Sequence, residues 1–356
     1  MLHLLFCAGN MISLSAVATC VGELEAYPAA SQRAVPAKLI ALVDAGLDRL
    51  PLPGMGATYR RWQCLASVAG HDLSLAKLYE SHTDALAILA ELAAPIAGDK
   101  QTWGVWCAEL PHAQVQMHGE HASTGLSHLA PVRLNGTKAW CSGAADLQHA
   151  LLSVRSAAGE SYLAAVDLTA AGISIDTSNW QAIGMAESAS LDVTFKDVPA
   201  IVVGTAGAYL ARPGFWQGGA GVAACWYGAA AAIGHDVRGP LARSNDPHFL
   251  SHLGAIDVAL RGAGATLRHL AALIDHQPKA TVVASVLQAR LQVEQAATAV
   301  MTHAGRALGA APLCRNRNFA RRMADLPVFI RQSHAERDLA FLGTQILDGA
   351  STPWTL

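Results

Sequence analysis

The chain has 356 residues, of which 52% are apolar and only 15% are charged, and its formal net charge is -2 at pH 7. So few charges on a chain of this length imply a large buried core, surface hidden between subunits, or both. The near-neutral net charge gives no reason to expect a nucleic-acid-binding protein, which needs a basic stripe. The seven cysteines are odd in number and include no Cys-x-x-Cys pair, which is typical of reduced thiols in a cytoplasmic protein.

Two uncharged stretches, residues 1–22 and 213–234, raise the question of a signal peptide or a membrane span. No Lys or Arg precedes Arg33, and polar residues interrupt the first stretch. The second stretch contains several glycines and Gln217. We therefore expect no signal peptide and no membrane span, and we expect residues 213–234 to form a buried helix that packs closely through small side chains.

Residues 1–100 are predicted to form an N-terminal helical domain. Apolar residues recur at three- and four-residue spacing in residues 57–69 and 73–92, which is typical of amphipathic helices. The second of these helices carries three polar residues whose role the sequence leaves open: they form an ordinary polar face, or they line the mouth of a substrate site. These residues are Glu80, His82 and Asp84.

Residues 101–203 are predicted to form a middle β domain. Asn135 and Gly136 lie between alternating apolar segments, where both central residues of a tight turn need a positive φ. We therefore predict a hairpin turn at this pair, within a compact antiparallel β unit. Further strand-like runs, separated by turn-forming residues, occur at 150–154, 162–167, 173–176 and 191–195.

Residues 204–356 are rich in Ala, Leu, Val, Gln and Arg, a composition typical of long helices. Four long helices joined by short loops favour an up-down bundle. The whole chain is therefore predicted to be an α+β multidomain protein with an N-terminal helical domain, a middle β domain and a C-terminal four-helix bundle. The four helices are predicted at 219–237, 249–274, 281–308 and 317–342.

Two motifs in the β unit carry a resemblance to a known family. Residues 134–143 are LNGTKAWCSG, and residues 183–204 contain IGM followed by SLDVTFKDV. In this order and at this separation they resemble the signatures of the acyl-CoA dehydrogenase superfamily of flavoproteins. The resemblance implies that the middle domain is an antiparallel β-barrel, that FAD is the cofactor, and that the bundle builds a homodimer or homotetramer.

Trp140 and Ser142 are the strongest candidates for cofactor contacts. In the family pattern the tryptophan packs on the flavin edge and the hydroxyl two residues later hydrogen-bonds the ring. Two residues apart on one strand, they are expected to share a face. A flavin ring needs a flat apolar wall and a few aimed hydrogen-bond donors. The alternative is an ordinary core tryptophan beside a turn serine.

Other segments retain parts of the family's cofactor motifs. Residues 103–109 resemble the strand that contacts the flavin ring, although Ala108 replaces a hydroxyl residue. Arg238 and Gly305 retain one residue each of the two motifs that bind the pyrophosphate. The resemblance therefore implies cofactor contacts from Trp106, Ala108, Glu109, Trp140, Ser142, Arg238 and Gly305.

The family's catalytic glutamate has no counterpart, because Ser333 and Gly218 occupy its two alternative positions. His334, with an ordinary pKa of about 6.5, suits proton transfer at neutral pH, and Glu336 is the nearest carboxylate. We therefore take His334, Glu336 and Ser333 as the catalytic candidates. A histidine here resembles the flavin monooxygenase branch of the fold. Alternatively, residues 334–338 are a solvated helix end.

A cluster of histidines near the first strand raises the question of a metal. Their spacing matches no zinc motif and no cysteine joins them, so we predict no metal site and expect strand and loop histidines that face solvent. These residues are His112, His118, His121 and His128.

The resemblance implies an FAD-dependent oxidoreductase that dehydrogenates an acyl thioester, or a related acyl substrate, at its α,β-bond through an atypical base. The acyl group would be bound to CoA or to a carrier, and an electron-transfer partner would reoxidise the flavin. A flavin-dependent monooxygenase on the same fold is the first alternative. A non-catalytic member that binds ligands or serves as a structural subunit is the second.

Overall fold

The computed structural model describes residues 13–17, 34–119, 128–241, 245–349 and 354. Most of the stretch 1–22 therefore lies outside the described residues. The first helices are α1 (Ala34–Asp44), α2 (Thr58–His71) and α3 (Leu73–Glu91), and the last two confirm the helices predicted at 57–69 and 73–92. Asp72 separates α2 from α3 and caps α3, because its carboxylate accepts a hydrogen bond from the Leu75 N–H at 3.0 Å.

Seven strands form the middle part of the described chain. Strands β2, β3, β7, β5 and β4 pair in a closed ring, while β1 and β6 flank it on β4 and β7. The strands are β1 (Trp103–Trp106), β2 (Val115–His118), β3 (Pro131–Ser142), β4 (His149–Arg155), β5 (Ser161–Asp167), β6 (Ile173–Asp176) and β7 (Ser190–Val203). All the predicted strand-like runs are therefore confirmed.

The prediction of a purely antiparallel barrel is wrong in two pairings. Strand β4 runs parallel to β1, with Trp103 opposite His149, and parallel to β2 at Gln116 and Arg155. Parallel neighbours need a long crossover connection. For β1 and β4 this connection is the stretch of chain between them, which contains β2 and β3. The remaining pairings in the ring are antiparallel.

The predicted hairpin turn at Asn135 and Gly136 is also wrong, because β3 continues through both residues. The register against β7 shifts between Leu134 and Gly136, so the pair marks a β-bulge. Gly136 has a φ of 124°, and a Cβ atom there would lie 2.3 Å from the Gln114 carbonyl oxygen. The glycine is needed for close approach of two strands.

The C-terminal part confirms three of the four predicted long helices. The fourth, predicted at 317–342, is wrong, because a 3-10 turn over Ile330–Gln332 and extended backbone at Ser333 interrupt it. The Arg290 side chain binds the Gln332 carbonyl at 2.9 Å, and Ala335 has a φ of 35°, outside the helical region. The helices are α4 (Ala208–Ala211), α5 (Pro213–Leu241), α6 (Pro247–His276), α7 (Val283–Leu308), α8 (Ala310–Arg315), α9 (Arg317–Phe329) and α10 (Glu336–Leu347).

The N-terminal and C-terminal helices share one hydrophobic core, and the barrel has its own. Helix α5 packs closely on α2: a Cβ atom on Gly228 would lie 2.1 Å from the Ala66 carbonyl oxygen. This contact confirms the buried helix with small packing residues predicted for 213–234. None of the described helices is both long enough and apolar enough to cross a bilayer. A cavity lies between the helical core and the barrel.

Candidate active site

A cavity of about 1350 Å³ lies where the barrel meets the helices. Strands β1 and β3 and the segment before β7 form its barrel side, and α3, α5, α7, α10 and the residues between α9 and α10 form its helical side. Small-molecule sites typically measure about 300–1,000 Å³. The cavity is therefore large enough for a cofactor together with a substrate.

Trp140 and Ser142 both line this cavity, although not through the simple alternation that we expected. A register shift between Lys138 and Cys141 forms a second bulge in β3, and Trp140 has a φ of 63°. At this bulge the Trp140 residue is 54% exposed. Its ring meets Trp180 edge-on, with 6.3 Å between centroids. The bulge thus presents a flat aromatic wall to the cavity.

Three serine hydroxyls form a chain beside this wall. Ser142 Oγ lies 2.7 Å from Ser190 Oγ, which lies 3.1 Å from Ser188 Oγ. Trp106 also lines the cavity, and its indole Nε1–H donates to the Ser142 carbonyl at 3.2 Å. Hydroxyls both donate and accept, so the chain can match the mixed donors and acceptors along the edge of a heterocyclic ring.

The segment that carries Ser188 is anchored to the helical core through α9. The Met185 N–H donates to Asp325 Oδ1 at 2.5 Å, and burial raises the pKa of this carboxyl above its ordinary value. Arg321 binds Asp325 from the same helix at 3.3 Å. A Cβ atom on Gly184 would lie 2.1 Å from a carbonyl of α9. The hydroxyl chain is therefore fixed relative to the bundle.

Glu109 lines the cavity together with Ala108, but its carboxylate is bound by the barrel. Lys138 Nζ lies 3.0 Å from it, Arg155 Nη2 lies 3.3 Å from it, and the Ser153 hydroxyl donates to it. Burial alone would raise the pKa of Glu109, but these hydrogen bonds and charges lower it overall. The lowered pKa makes this carboxylate a weak proton acceptor, so Glu109 does not suit the role of general base.

His334 lines the same cavity from the residues between α9 and α10. Its backbone N–H donates to Asp338 Oδ2 at 3.4 Å, and Asp338 is buried. Burial and the charge of Arg337 lower the pKa of His334 below its ordinary value, although Asp338 opposes this change. At neutral pH the imidazole is therefore uncharged and able to accept a proton.

Arg290 holds the segment that carries His334 in place. One of its guanidinium nitrogens donates to the Gly219 carbonyl of α5, and another donates to the Gln332 carbonyl at 2.9 Å. The guanidinium also lies over the Trp226 ring, 4.8 Å from its centroid. One buried side chain thus connects three parts of the cavity wall.

Some polar residues of α3 line the cavity, whereas His82 is bound within the protein core. Lys77, Glu80 and Asp84 line the cavity, and Lys77 Nζ lies 3.3 Å from Glu80 Oε2. His82 does not line it: its Nδ1 accepts a hydrogen bond from the Trp103 N–H at 3.2 Å, and its Nε2 lies 3.2 Å from Asp48. The substrate-mouth interpretation therefore fits Glu80 and Asp84 but not His82.

Several predicted site residues lie outside the cavity lining. Ser333 is buried, and its Oγ accepts a hydrogen bond from the Ala335 N–H at 3.3 Å. Glu336 is exposed in the first turn of α10, and Arg238 is exposed near the end of α5. A Cβ atom on Gly305 would meet nothing within 4 Å. The roles assigned to these residues stay predictions.

The four histidines near the first strand have different surroundings. His112 and His118 are exposed, as expected. His128 instead bridges backbone groups, since its Nε2 lies 3.1 Å from the Ala93 carbonyl and its Nδ1 accepts from the Gly204 N–H. The remaining one, His121, lies outside the described residues. Within the described ranges, no group of three or more His, Cys, Asp or Glu side chains could hold a metal ion.

Sequence analysis missed Ser188, Ser190 and Arg290. Ser190 and Ser142 lie 48 positions apart in the chain, so no local pattern could have joined them. Arg290 lies inside an ordinary amphipathic helix, where a lone arginine is indistinguishable from a surface residue. Only the fold brings these side chains to the cavity.

No protein-family model matches the chain, and no curated protein sequence matches it significantly. Among solved structures, the chain shares an acyl-CoA dehydrogenase-like fold with proteins whose structures contain FMN. TdsC from Paenibacillus sp. A11-2, a dibenzothiophene monooxygenase, matches in its complex with FMN and indole with a TM-score of 0.77 and 18% identity, over 94% of this chain and 97% of that one.

Two further structures match equally well. KijD3 in complex with FMN and a dTDP-linked amino-keto sugar has a TM-score of 0.76 at 18% identity, over 96% of this chain and 94% of that one. The methanesulfinate monooxygenase MsuC from Pseudomonas fluorescens has a TM-score of 0.76 at 18% identity, over 97% and 99%. Identities this low establish the shared fold alone.

Proposed function

We propose that the chain is a flavin-dependent monooxygenase. The observation that carries the proposal is that His334 and the Trp140 wall line one cavity, while neither position of the dehydrogenase base holds a carboxylate. The two monooxygenases among the similar structures support the same class of reaction. His334 is then the catalytic acid or base in place of the missing glutamate.

The residues of the cavity fit a flavin. Trp140 offers an aromatic face, and Ser142 with its neighbouring hydroxyls offers hydrogen bonds beside that face. Arg238 and Gly305, the residues expected to hold the pyrophosphate of FAD, do not line the cavity. Together with the FMN found in TdsC and KijD3, this favours FMN over the FAD implied by the resemblance.

A reduced flavin supplies the electrons with which one atom of molecular oxygen enters the substrate and the other becomes water. His334, uncharged at neutral pH, would accept or return one proton at an imidazole nitrogen. Trp140 and Ser142 would orient the ring. Arg290 would hold the His334 segment, and the surrounding apolar wall would exclude water. An external reductase would be the electron-transfer partner.

A second candidate function is α,β-dehydrogenation of an acyl substrate through an atypical base. It is favoured by Glu80, a carboxylate in the cavity wall whose pKa is raised by burial although Lys77 opposes this change, since a raised pKa makes a carboxylate a better proton acceptor.

We also propose a homodimer or homotetramer. Its support is a set of exposed apolar side chains on α10, namely Leu339, Phe341 and Leu347.

Full-length protein mixed separately with FMN and FAD tests these functions. We expect FMN to bind, and reduced FMN with indole to give a product that carries one atom of oxygen-18 from labelled oxygen gas. Anaerobic bleaching of the bound flavin by butyryl-CoA would instead support dehydrogenation. Protein that stays colourless with either flavin would overturn both functions and leave the non-catalytic alternative.

A further inference from the structure

We propose that Asp84 is a specificity-determining residue that binds an N–H or O–H donor group of the substrate. The inference rests on the proposed function only in assuming that the substrate occupies the same cavity. The evidence is a carboxylate in the cavity wall that receives no hydrogen bond from any of the described residues.

The Asp84 side chain is 13% exposed. Its Oδ1 atom is buried and has no hydrogen-bond partner. Its Oδ2 atom lies 3.9 Å from Arg212 Nη2, which is an ion pair but too long for a hydrogen bond. Buried polar groups are almost always hydrogen-bonded, because a carboxylate removed from water without donors is destabilised strongly. The Asp84 carboxylate therefore receives no hydrogen bond within the described chain, and its Oδ2 atom can still accept one.

The other carboxylates of the wall, and two of its arginines, have hydrogen-bond partners within the described chain. Arg212 donates to Glu91 at 2.9 Å, and Glu91 also accepts from the Gly214 N–H at 3.0 Å. Glu80 pairs with Lys77. Glu109 and Arg290 are bound as described above. Asp338, the remaining carboxylate of the wall, accepts from the His334 N–H, so among the described residues Asp84 is the lining carboxylate that accepts no hydrogen bond.

Gly218 of α5 keeps the approach to this carboxylate free of a side chain. It lines the cavity, and a Cβ atom there would lie 2.9 Å from Asp84 Oδ1, closer than an unstrained contact. Oδ1 is buried beside Gly218, and the exposed part of the side chain leaves Oδ2 as the oxygen that can accept from a ligand. Asp84 and Gly218 thus define a narrow polar end of the cavity.

The surroundings of this end determine the substrate class. Tyr209, Phe215 and Trp216 line the cavity and pack in sequence, each pair edge-to-face with 5.3 Å between centroids. Such a wall suits a planar or apolar body. The polar face of α3 disfavours binding of a substrate with a long alkyl chain, because the alkyl chain would remove water from Asp84 without offering it a hydrogen-bond donor. The geometry fits an aromatic or compact apolar molecule with one amine or hydroxyl group.

Three matched probes test the assignment on full-length protein, with and without FMN. Benzylamine carries a cationic donor, benzyl alcohol carries a neutral donor, and toluene carries none. Titration followed by calorimetry should show that Asp84→Leu weakens both donor probes about 10-fold relative to toluene, since a hydrogen bond to a charged group has this magnitude. Asp84→Asn should weaken benzylamine more than benzyl alcohol, because the amide keeps an acceptor but loses the charge.

Asp257→Asn is the matched control, since Asp257 is exposed and pairs only with Arg261 in the described chain. Its probe affinities should equal those of the parent protein. Unchanged relative affinities in both Asp84 variants, or no binding of either donor probe to the parent protein, would overturn the proposal. Because the titration also runs without FMN, a protein that shows the Asp84 preference but takes no flavin would contradict only the proposed function.

Discussion

Arg290 donates a hydrogen bond at 2.9 Å to the backbone carbonyl of Gln332, two residues before His334. The same guanidinium binds the Gly219 carbonyl at the start of α5. The fourth predicted helix therefore breaks where a side chain from α7 takes a carbonyl that a continuous helix would have used. His334 follows this break and lines the cavity, so Arg290 binds the chain at the point where the helix ends and the His334 segment begins.

Arg290→Lys should slow turnover about 10-fold or more while leaving a folded protein. A lysine keeps the positive charge but cannot span two carbonyls in the fixed fork geometry of a guanidinium. The measurement is kcat with reduced flavin, together with thermal unfolding. Arg261→Lys, at an exposed ion pair on α6, is the control and should change neither quantity. An Arg290→Lys enzyme with full activity would show that the segment is positioned by other contacts.

The rate should fall in acid as His334 becomes protonated. Burial and Arg337 lower the pKa of His334. The apparent pKa of the acid limb of the kcat/KM profile should therefore lie below the ordinary histidine value of about 6.5. Since the folded state holds this proton less tightly than the unfolded state, protonation of His334 also reduces stability as the pH falls below that value. Arg337→Gln should move the limb to higher pH, because it removes a repelling charge.

His334→Ala should lower kcat by roughly 10²- to 10⁴-fold, the usual contribution of a general acid or base, while flavin still binds. The exposed His112 offers a matched control, and His112→Ala should leave the rate unchanged. An acid limb that persists in the His334→Ala enzyme would assign the titration to another group.

Local sequence patterns were sufficient to predict most elements. The period of apolar residues predicted α2 and α3, strict alternation predicted residues 191–195 of β7, and flanking turn-forming residues bounded the run that forms β5. The bulge at Gly136 was mistaken for a turn, since the glycine is required by the approach of Gln114 from a neighbouring strand. The sequence around a close approach and the sequence around a tight turn both contain glycine.

The site was less predictable than the fold. The motif containing Trp140 and Ser142 predicts the aromatic wall, and the missing glutamate leaves His334 as the nearest candidate for proton transfer. The hydroxyl partner Ser190 and the unpartnered carboxylate of Asp84 depend on distances across the fold. A hydrogen bond between strands that are far apart in the sequence leaves no local pattern in the chain. The same is true of a carboxylate that receives no hydrogen bond.

Trp140→Gly should weaken flavin binding without destabilising the protein. The loss of an aromatic face costs about 1 kcal/mol, or roughly fivefold in Kd. A glycine, however, adopts the φ of 63° found at this position without strain. Flavin fluorescence titration and thermal unfolding measure the two effects separately. Unchanged flavin affinity would remove the aromatic wall from the cofactor site.

Gly218→Ala should selectively weaken ligands that reach Asp84. The added methyl group would lie 2.9 Å from the Asp84 carboxylate, and the strain is relieved only if that side chain or the start of α5 moves. We expect the Kd of benzylamine to rise about 10-fold, the change expected from losing a charged hydrogen bond. The Kd of FMN should stay within about twofold, because Trp140 and Ser142 belong to another part of the wall.

Gly254→Ala is the matched comparison for this substitution. Gly254 also lies inside a long helix, but a Cβ atom there meets nothing within 4 Å. That variant should gain about 0.5–1 kcal/mol of stability from the higher helix propensity of alanine and should bind both ligands normally. If Gly218→Ala behaves like Gly254→Ala in the benzylamine titration, the space beside Asp84 is not where a donor group binds. A selective loss at Gly218 would instead locate the polar end of the substrate between α3 and α5.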